Sequence, residues 1–125
     1  MKRTILLVGL FFGACSFGTE NIESVDPGAI PAAPTYSEHI KPLMEFYCVA
    51  CHDPEGQAGE AGDIDLTTYE SVSADYDDIR EAIFDKRYMP PGGGRRLSAE
   101  DEATLARWDA QGLICGVGPD CVGAP

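Results

Sequence analysis

Residues 48–52 read Cys-Val-Ala-Cys-His: two thiols separated by two small residues, with an imidazole directly after. With five cysteines and two histidines in 125 residues, composition alone would produce this C-x-x-C-H order about 0.003 times in the chain. The stretch before it, S-E-H-I-K-P-L-M-E-F-Y-C over residues 37–48, places Ile40, Leu43, Phe46 and Tyr47 at the three-to-four spacing of a helix. On helical backbone, positions i, i+3 and i+4 share a face, so Cys48, Cys51 and His52 project together from the end of that helix. No other stretch alternates as a strand and no internal repeat occurs, so the sequence predicts a small all-α domain.

Working outward, Ser37 is the expected N-cap of the first helix, and Pro42, which lacks an N–H, should kink it or reset its start. T-T-Y-E-S-V (67–72) predicts a short helix opened by threonine. D-Y-D-D-I-R-E-A-I-F-D (75–85) predicts another, with Ile79 and Ile83 four apart and acidic residues in its first turn. After a proline-glycine loop (90–94), the clearest helix begins. Ser98 caps it, Glu100 to Glu102 load its first turn, Leu105 and Trp108 mark its apolar face, and Gly112 closes it. Leu105 and Trp108 should pack on Ile40, Leu43 or Phe46.

The chain opens M-K-R-T-I-L-L-V-G-L-F-F-G-A-C, a basic start followed by an apolar run much shorter than the roughly 20 residues needed to span a bilayer. This fits a signal peptide over residues 1–14. The junction G-A-C resembles the lipobox of bacterial lipoproteins, with Phe12 where leucine is commoner, which implies a lipid on Cys15. Removing Lys2 and Arg3 leaves seven basic against 21 acidic residues, a net charge of −14. Such a surface does not attract nucleic acid, and it suits a basic protein partner or serves solubility alone. Residues 15–35 hold three prolines and no apolar period. They read as a flexible tether of roughly 25 Å reach.

Three chemistries use C-x-x-C-H. A thiol–disulfide exchanger needs the pair at a helix start beside a sheet, whereas here it follows a helix with no strand signal. A zinc site needs four ligands, but Cys115 and Cys121 have a C-x5-C spacing with no histidine nearby. Covalent haem attachment uses every position: both thiols join vinyl groups along one porphyrin edge and His52 reaches the iron. The cofactor this predicts is one covalent haem c. In an oxidising compartment Cys115 and Cys121 should pair, and closing so short a loop contributes about 2 kcal/mol.

With I-K-P-L-M-E-F-Y-C-V-A-C-H followed by D-L-T-T-Y-E-S-V, Y-M-P-P-G-G and L-A-R-W-D-A-Q-G, the chain resembles the bacterial monohaem c-type cytochromes over residues 36–112. The resemblance implies a helical cytochrome c domain (36–114) wrapped around its haem, with 115–125 as a C-terminal tail. For the sixth iron ligand the candidates are His39, Met44 and Met89. Met44 lies about 12 Å and His39 about 20 Å along the helix from His52, too far along one side to curl over the ring. Met89, in R-Y-M-P-P-G-G-G, follows far enough down the chain to cross, and the family's Met-Pro pattern falls there.

A His52/Met89 pair raises the reduction potential and closes the iron, which describes a single-electron carrier and not an enzyme. The expected location is the periplasmic side of a bacterial membrane or the cell surface, with redox proteins as partners. Competing readings are a haem enzyme or sensor with an open sixth position, and an electron-entry subunit of a larger oxidoreductase. Arg87, Arg95 and Arg96 near the methionine loop, with Tyr69 and Tyr88, are candidates to meet a haem propionate.

Overall fold

The computed structural model describes residues 25–55, 64–92 and 95–124. The signal peptide expected over residues 1–14, Cys15, the expected tether up to residue 24, Gly93 and Gly94 lie outside the described residues. A turn of π-helix, Tyr36–Ile40, leads into α1 (Lys41–Tyr47). Then follow α2 (Tyr69–Ala74), α3 (Tyr76–Arg80) continued by a π turn (Glu81–Asp85), α4 (Ala99–Ala110), and a final 3-10 turn, Pro119–Cys121. Among the described residues there is no β-strand, so the all-α class holds, and no helix is long and apolar enough to cross a membrane.

The first π turn sits immediately before Pro42. There the N–H groups of Ile40 and Lys41 bond back five residues, to the Thr35 and Tyr36 carbonyls. Pro42 has no N–H to continue an upstream ladder, so the register slips at little cost and α1 starts afresh. The start itself is at Thr35, not Ser37. The Thr35 N–H donates to His39 Nδ1 at 3.2 Å, which gives this histidine a capping role.

α2 is opened by Thr68, whose side chain accepts from the Ser71 N–H in a reciprocal capping box. α4 is opened by Ser98, which accepts from the Asp101 N–H at 3.1 Å. α4 ends on left-handed residues, Gly112 (φ 85°) and Leu113 (φ 58°), which turn the chain back across the core.

The core is strung along these faces. Tyr36, Ile40 and Met44 recur every four residues. Val72, Tyr76, Ile79 and Ile83 continue the pattern from α2 and α3, and Leu105 and Trp108 come from α4. Trp108 is the hub: its ring lies 5.2 Å from Tyr76, edge-on, and 6.2 Å from Tyr36. Its Nε1–H donates to the Ile114 carbonyl at 2.8 Å. Ile40 joins this core and Leu43 packs at its margin. Phe46, expected inside, is 53% exposed and lies under the Arg95 guanidinium, 4.2 Å from the ring centroid.

Both ends of the expected domain need correction. Residues 30–35 are not free tether. Arg107 donates to the Ile30 and Pro31 carbonyls, Gln111 donates to that of Ala32, and Pro34 is fully buried. Nor does the core stop at residue 114. Cys115 is buried, and the Tyr36 and Ser37 N–H groups donate to the Ile114 and Cys115 carbonyls. The sulfurs of Cys115 and Cys121 lie at bonding distance, 2.08 Å, and Lys41 Nζ meets Asp120 at 2.8 Å. The caps of α2 and α4 were legible because they are local; these attachments, the disulfide aside, join residues more than 70 positions apart.

Gly116 lies where the two ends meet, at φ 96°. A Cβ there would stand 2.6 Å from Ser37 Oγ and 2.9 Å from Thr35 Cβ. Gly116→Ala is therefore expected to cost about 3 kcal/mol, combining backbone strain with overpacking. Denaturant unfolding checks this, and a loss of less than about 1 kcal/mol would sink the argument.

The phenols make the fold sensitive to alkali. Burial, then Asp120, Glu45 and Asp65, push the Tyr36 hydroxyl up to about 12 from 10.0. Burial followed by Asp109 raises Tyr76, whose hydroxyl donates to the Leu105 carbonyl at 3.0 Å. A raised folded value favours the neutral phenol in the native state. This contribution is whole below pH 10 and is lost as pH climbs through the folded values. Unfolding midpoints at about pH 8 and about pH 11 should show a clear fall, and a flat profile would contradict it.

Candidate haem-attachment site

α1 ends at Tyr47, yet the chain makes one more helical turn through the C-x-x-C-H motif. The Cys48 and Val49 N–H groups both donate to the Met44 carbonyl, and the Cys48 carbonyl accepts from Cys51 and His52, each at 3.0 Å. This turn brings Cys48, Cys51 and His52 together on one short stretch of backbone. Cys48 is half-buried, Cys51 is exposed, and neither sulfur is bonded to another cysteine.

Burial, and secondarily the Cys51 sulfur, push the Cys48 thiol up to about 11 from 9.0. That direction opposes thiol–disulfide exchange, which depends on a readily formed thiolate. Among the described residues no cluster of three or more His, Cys, Asp or Glu side chains is arranged to hold a bare metal ion.

His52 is clamped by a segment that sequence reasoning did not single out. The chain returns past it at residues 64–66. His52 Nδ1 lies 3.2 Å from the Ile64 carbonyl oxygen, and the Leu66 N–H donates to the His52 carbonyl at 2.9 Å. A carbonyl can only accept, so this contact places the imidazole proton on Nδ1 and leaves the Nε2 lone pair free. Such a backbone partner is what orients a histidine that binds iron through its other nitrogen. The only trace of this in the sequence is the apolar pair Ile64 and Leu66 flanking Asp65, too short to read as an element.

No family model matches the chain, and no match was found among curated proteins or solved structures.

Met89 follows the second π turn and is held by its N–H to the Ala82 carbonyl at 3.3 Å, beside the equivalent Tyr88 bond at 3.1 Å. Its side chain is half-buried. Met89 and Cys48 pack against the same core, so the two segments flank one apolar cluster. Met44, by contrast, is 1% exposed within the core, and His39 serves the first helix start.

The groups considered for a propionate divide. The Tyr69 hydroxyl is committed, donating to the Leu113 carbonyl at 2.9 Å. Arg87 pairs with Glu102 at 3.6 Å and Arg95 covers Phe46. Arg96 and Tyr88 are exposed beside the methionine segment. The residues present fit a haem: two free thiols on one helical turn, a histidine with its far nitrogen fixed, and a methionine against the same core.

Proposed function

We propose that this chain is an exported monohaem c-type cytochrome, tethered by lipid on Cys15 and passing single electrons between protein partners. The observation that carries the reading is the pairing of His52 Nδ1 with the Ile64 carbonyl beside two unbonded thiols on the same turn. A haem held there supplies a one-electron ferric/ferrous couple. Cys48 and Cys51 would hold it by thioether bonds, and His52 and Met89 would bind its iron.

The chain's own part is to keep those groups in place. The Ile64 carbonyl fixes the imidazole tautomer and the ring direction. The half-buried turn limits water at Cys48. The paired hydrogen bonds to Ala82 hold the backbone of Tyr88 and Met89. Binding of the iron by the Met89 thioether would favour the ferrous state and exclude oxygen, which suits a shuttle better than a catalyst. The acidic balance, −12 over the whole sequence, suits partners with basic docking faces.

The test is to express the secreted chain beside a haem-maturation system. Sharp six-coordinate ferrous bands without carbon monoxide binding are expected. Ready carbon monoxide binding would instead indicate an open iron position and overturn the carrier reading. Met89→Ala should keep the colour, admit carbon monoxide and lower the reduction potential; a variant that still excludes the gas removes Met89 from the iron. Mass spectrometry of the mature chain reports haem addition and acylation of Cys15 together.

A further inference from the structure

Five large apolar side chains are strongly exposed among the described residues. Three of them, Ile114, Val117 and Val122, at 47%, 80% and 81%, lie on or beside the loop that Cys115 and Cys121 close. The sequence is 24% charged, yet residues 113–124 contain one ionisable side chain, Asp120, and Lys41 neutralises it at 2.8 Å. In a chain with 21 acidic residues this is an uncharged, apolar end. Isolated exposed valines are ordinary, but a pair of them with Ile114 on a covalently closed loop whose one carboxylate is paired is not.

The N-terminal segment arrives at the same end. Arg107 and Gln111, in and just after the last turn of α4, hold the carbonyls of Ile30, Pro31 and Ala32. Four residues beyond Ala32, the Tyr36 and Ser37 N–H groups meet the Ile114 and Cys115 carbonyls. Residues 25–35 add one charged side chain, Asp26. Whatever pulls on the chain before Ile30 therefore pulls on the end that carries the bare valines.

We propose that the disulfide-closed loop is a second membrane contact, with Ile114, Val117 and Val122 seated in the interface of the bilayer that holds Cys15. This rests on the lipid-anchor part of the function proposed above. Fifteen peptide links separate Cys15 from Ile30, a contour of at most about 50 Å, which lets the loop reach the bilayer that holds the lipid. Tethering turns a weak insertion into an intramolecular event at an effective concentration in the millimolar range. Partial burial of three aliphatic side chains then favours the seated orientation roughly thirtyfold. Seating the loop would set the domain's orientation above the bilayer.

The experiment uses the lipidated mature chain on phosphatidylcholine vesicles, read by amide hydrogen exchange and co-sedimentation. Amides across residues 114–123 should exchange about tenfold more slowly than in the unlipidated chain beginning at Ser16, with no comparable change in α3. The double variant Val117→Asp, Val122→Asp alters only exposed positions. It should keep its circular dichroism and still co-sediment, while losing the protection.

Co-sedimentation without protection, or protection unchanged in the double variant, overturns the loop contact and leaves the anchor standing. Failure to co-sediment removes the anchor and the loop contact together. Protection that arises without vesicles as protein concentration rises makes a second copy the occupant and overturns the proposal.

Discussion

Protein carrying both Cys48→Ser and Cys51→Ser is expected to retain no covalently held haem after acid–acetone extraction, whereas wild-type colour stays with the chain. Two thioether bonds are the only attachment in the proposed site that survives unfolding. Without them the group is held by axial ligands and apolar contact alone and is free to exchange.

The single variants separate attachment from packing. Cys51 is exposed, so Cys51→Ser should leave the fold intact while removing one thioether. Cys48 is half-buried against the core, so Cys48→Ser should also lose a little stability, on the order of 1 kcal/mol. Extractable colour in the wild type, or colour that resists extraction from the double variant, would end the cytochrome reading. The all-α fold would be untouched by either result.

Trp108→Ala is expected to destabilise the chain by about 4 kcal/mol, the largest single effect on the fold. The indole is fully buried between Tyr36 and Tyr76, and its removal leaves a void that helices fixed on several sides cannot close. It also removes the donor to Ile114, although that carbonyl keeps the Tyr36 N–H at 2.9 Å.

Trp108→Phe keeps much of the apolar contact but not the hydrogen bond, and should cost about half as much. Domains of this size are stable by roughly 5–10 kcal/mol, so the alanine variant should sit near the edge of folding. Denaturant unfolding followed by circular dichroism gives the comparison. An alanine variant within about 1 kcal/mol of wild type would show that the hub assigned to Trp108 is not one.

The two predictions draw on different kinds of information. The placing of Cys48, Cys51 and His52 on one turn was readable because it is local: four residues of helical rise bring two sulfurs and an imidazole together, whatever surrounds them. The capping of α2 by Thr68 and of α4 by Ser98 was readable for the same reason. The buried face of the first helix was not: Tyr36, Ile40 and Met44 fill the core, where spacing predicted Ile40, Leu43, Phe46 and Tyr47. Phe46 shows where periodicity fails. Its spacing matches the apolar stripe, but the stripe turns away from the core where α1 gives way to the C-x-x-C-H turn, and Arg95 covers the ring instead.

By itself, then, the sequence determined the helical class, the caps of α2 and α4, and the thiol and imidazole set. Each depends only on neighbours within a turn or two. Tertiary structure alone decided that the Ile64 carbonyl would hold His52, that Ile114 would receive both Trp108 and Tyr36, and that Ile30 to Ala32 would fasten to α4. In each case a backbone carbonyl or a long side chain meets a partner brought in by folding. Backbone carbonyls are the same at every residue, so no pattern of side chains along the chain can announce which of them will be used.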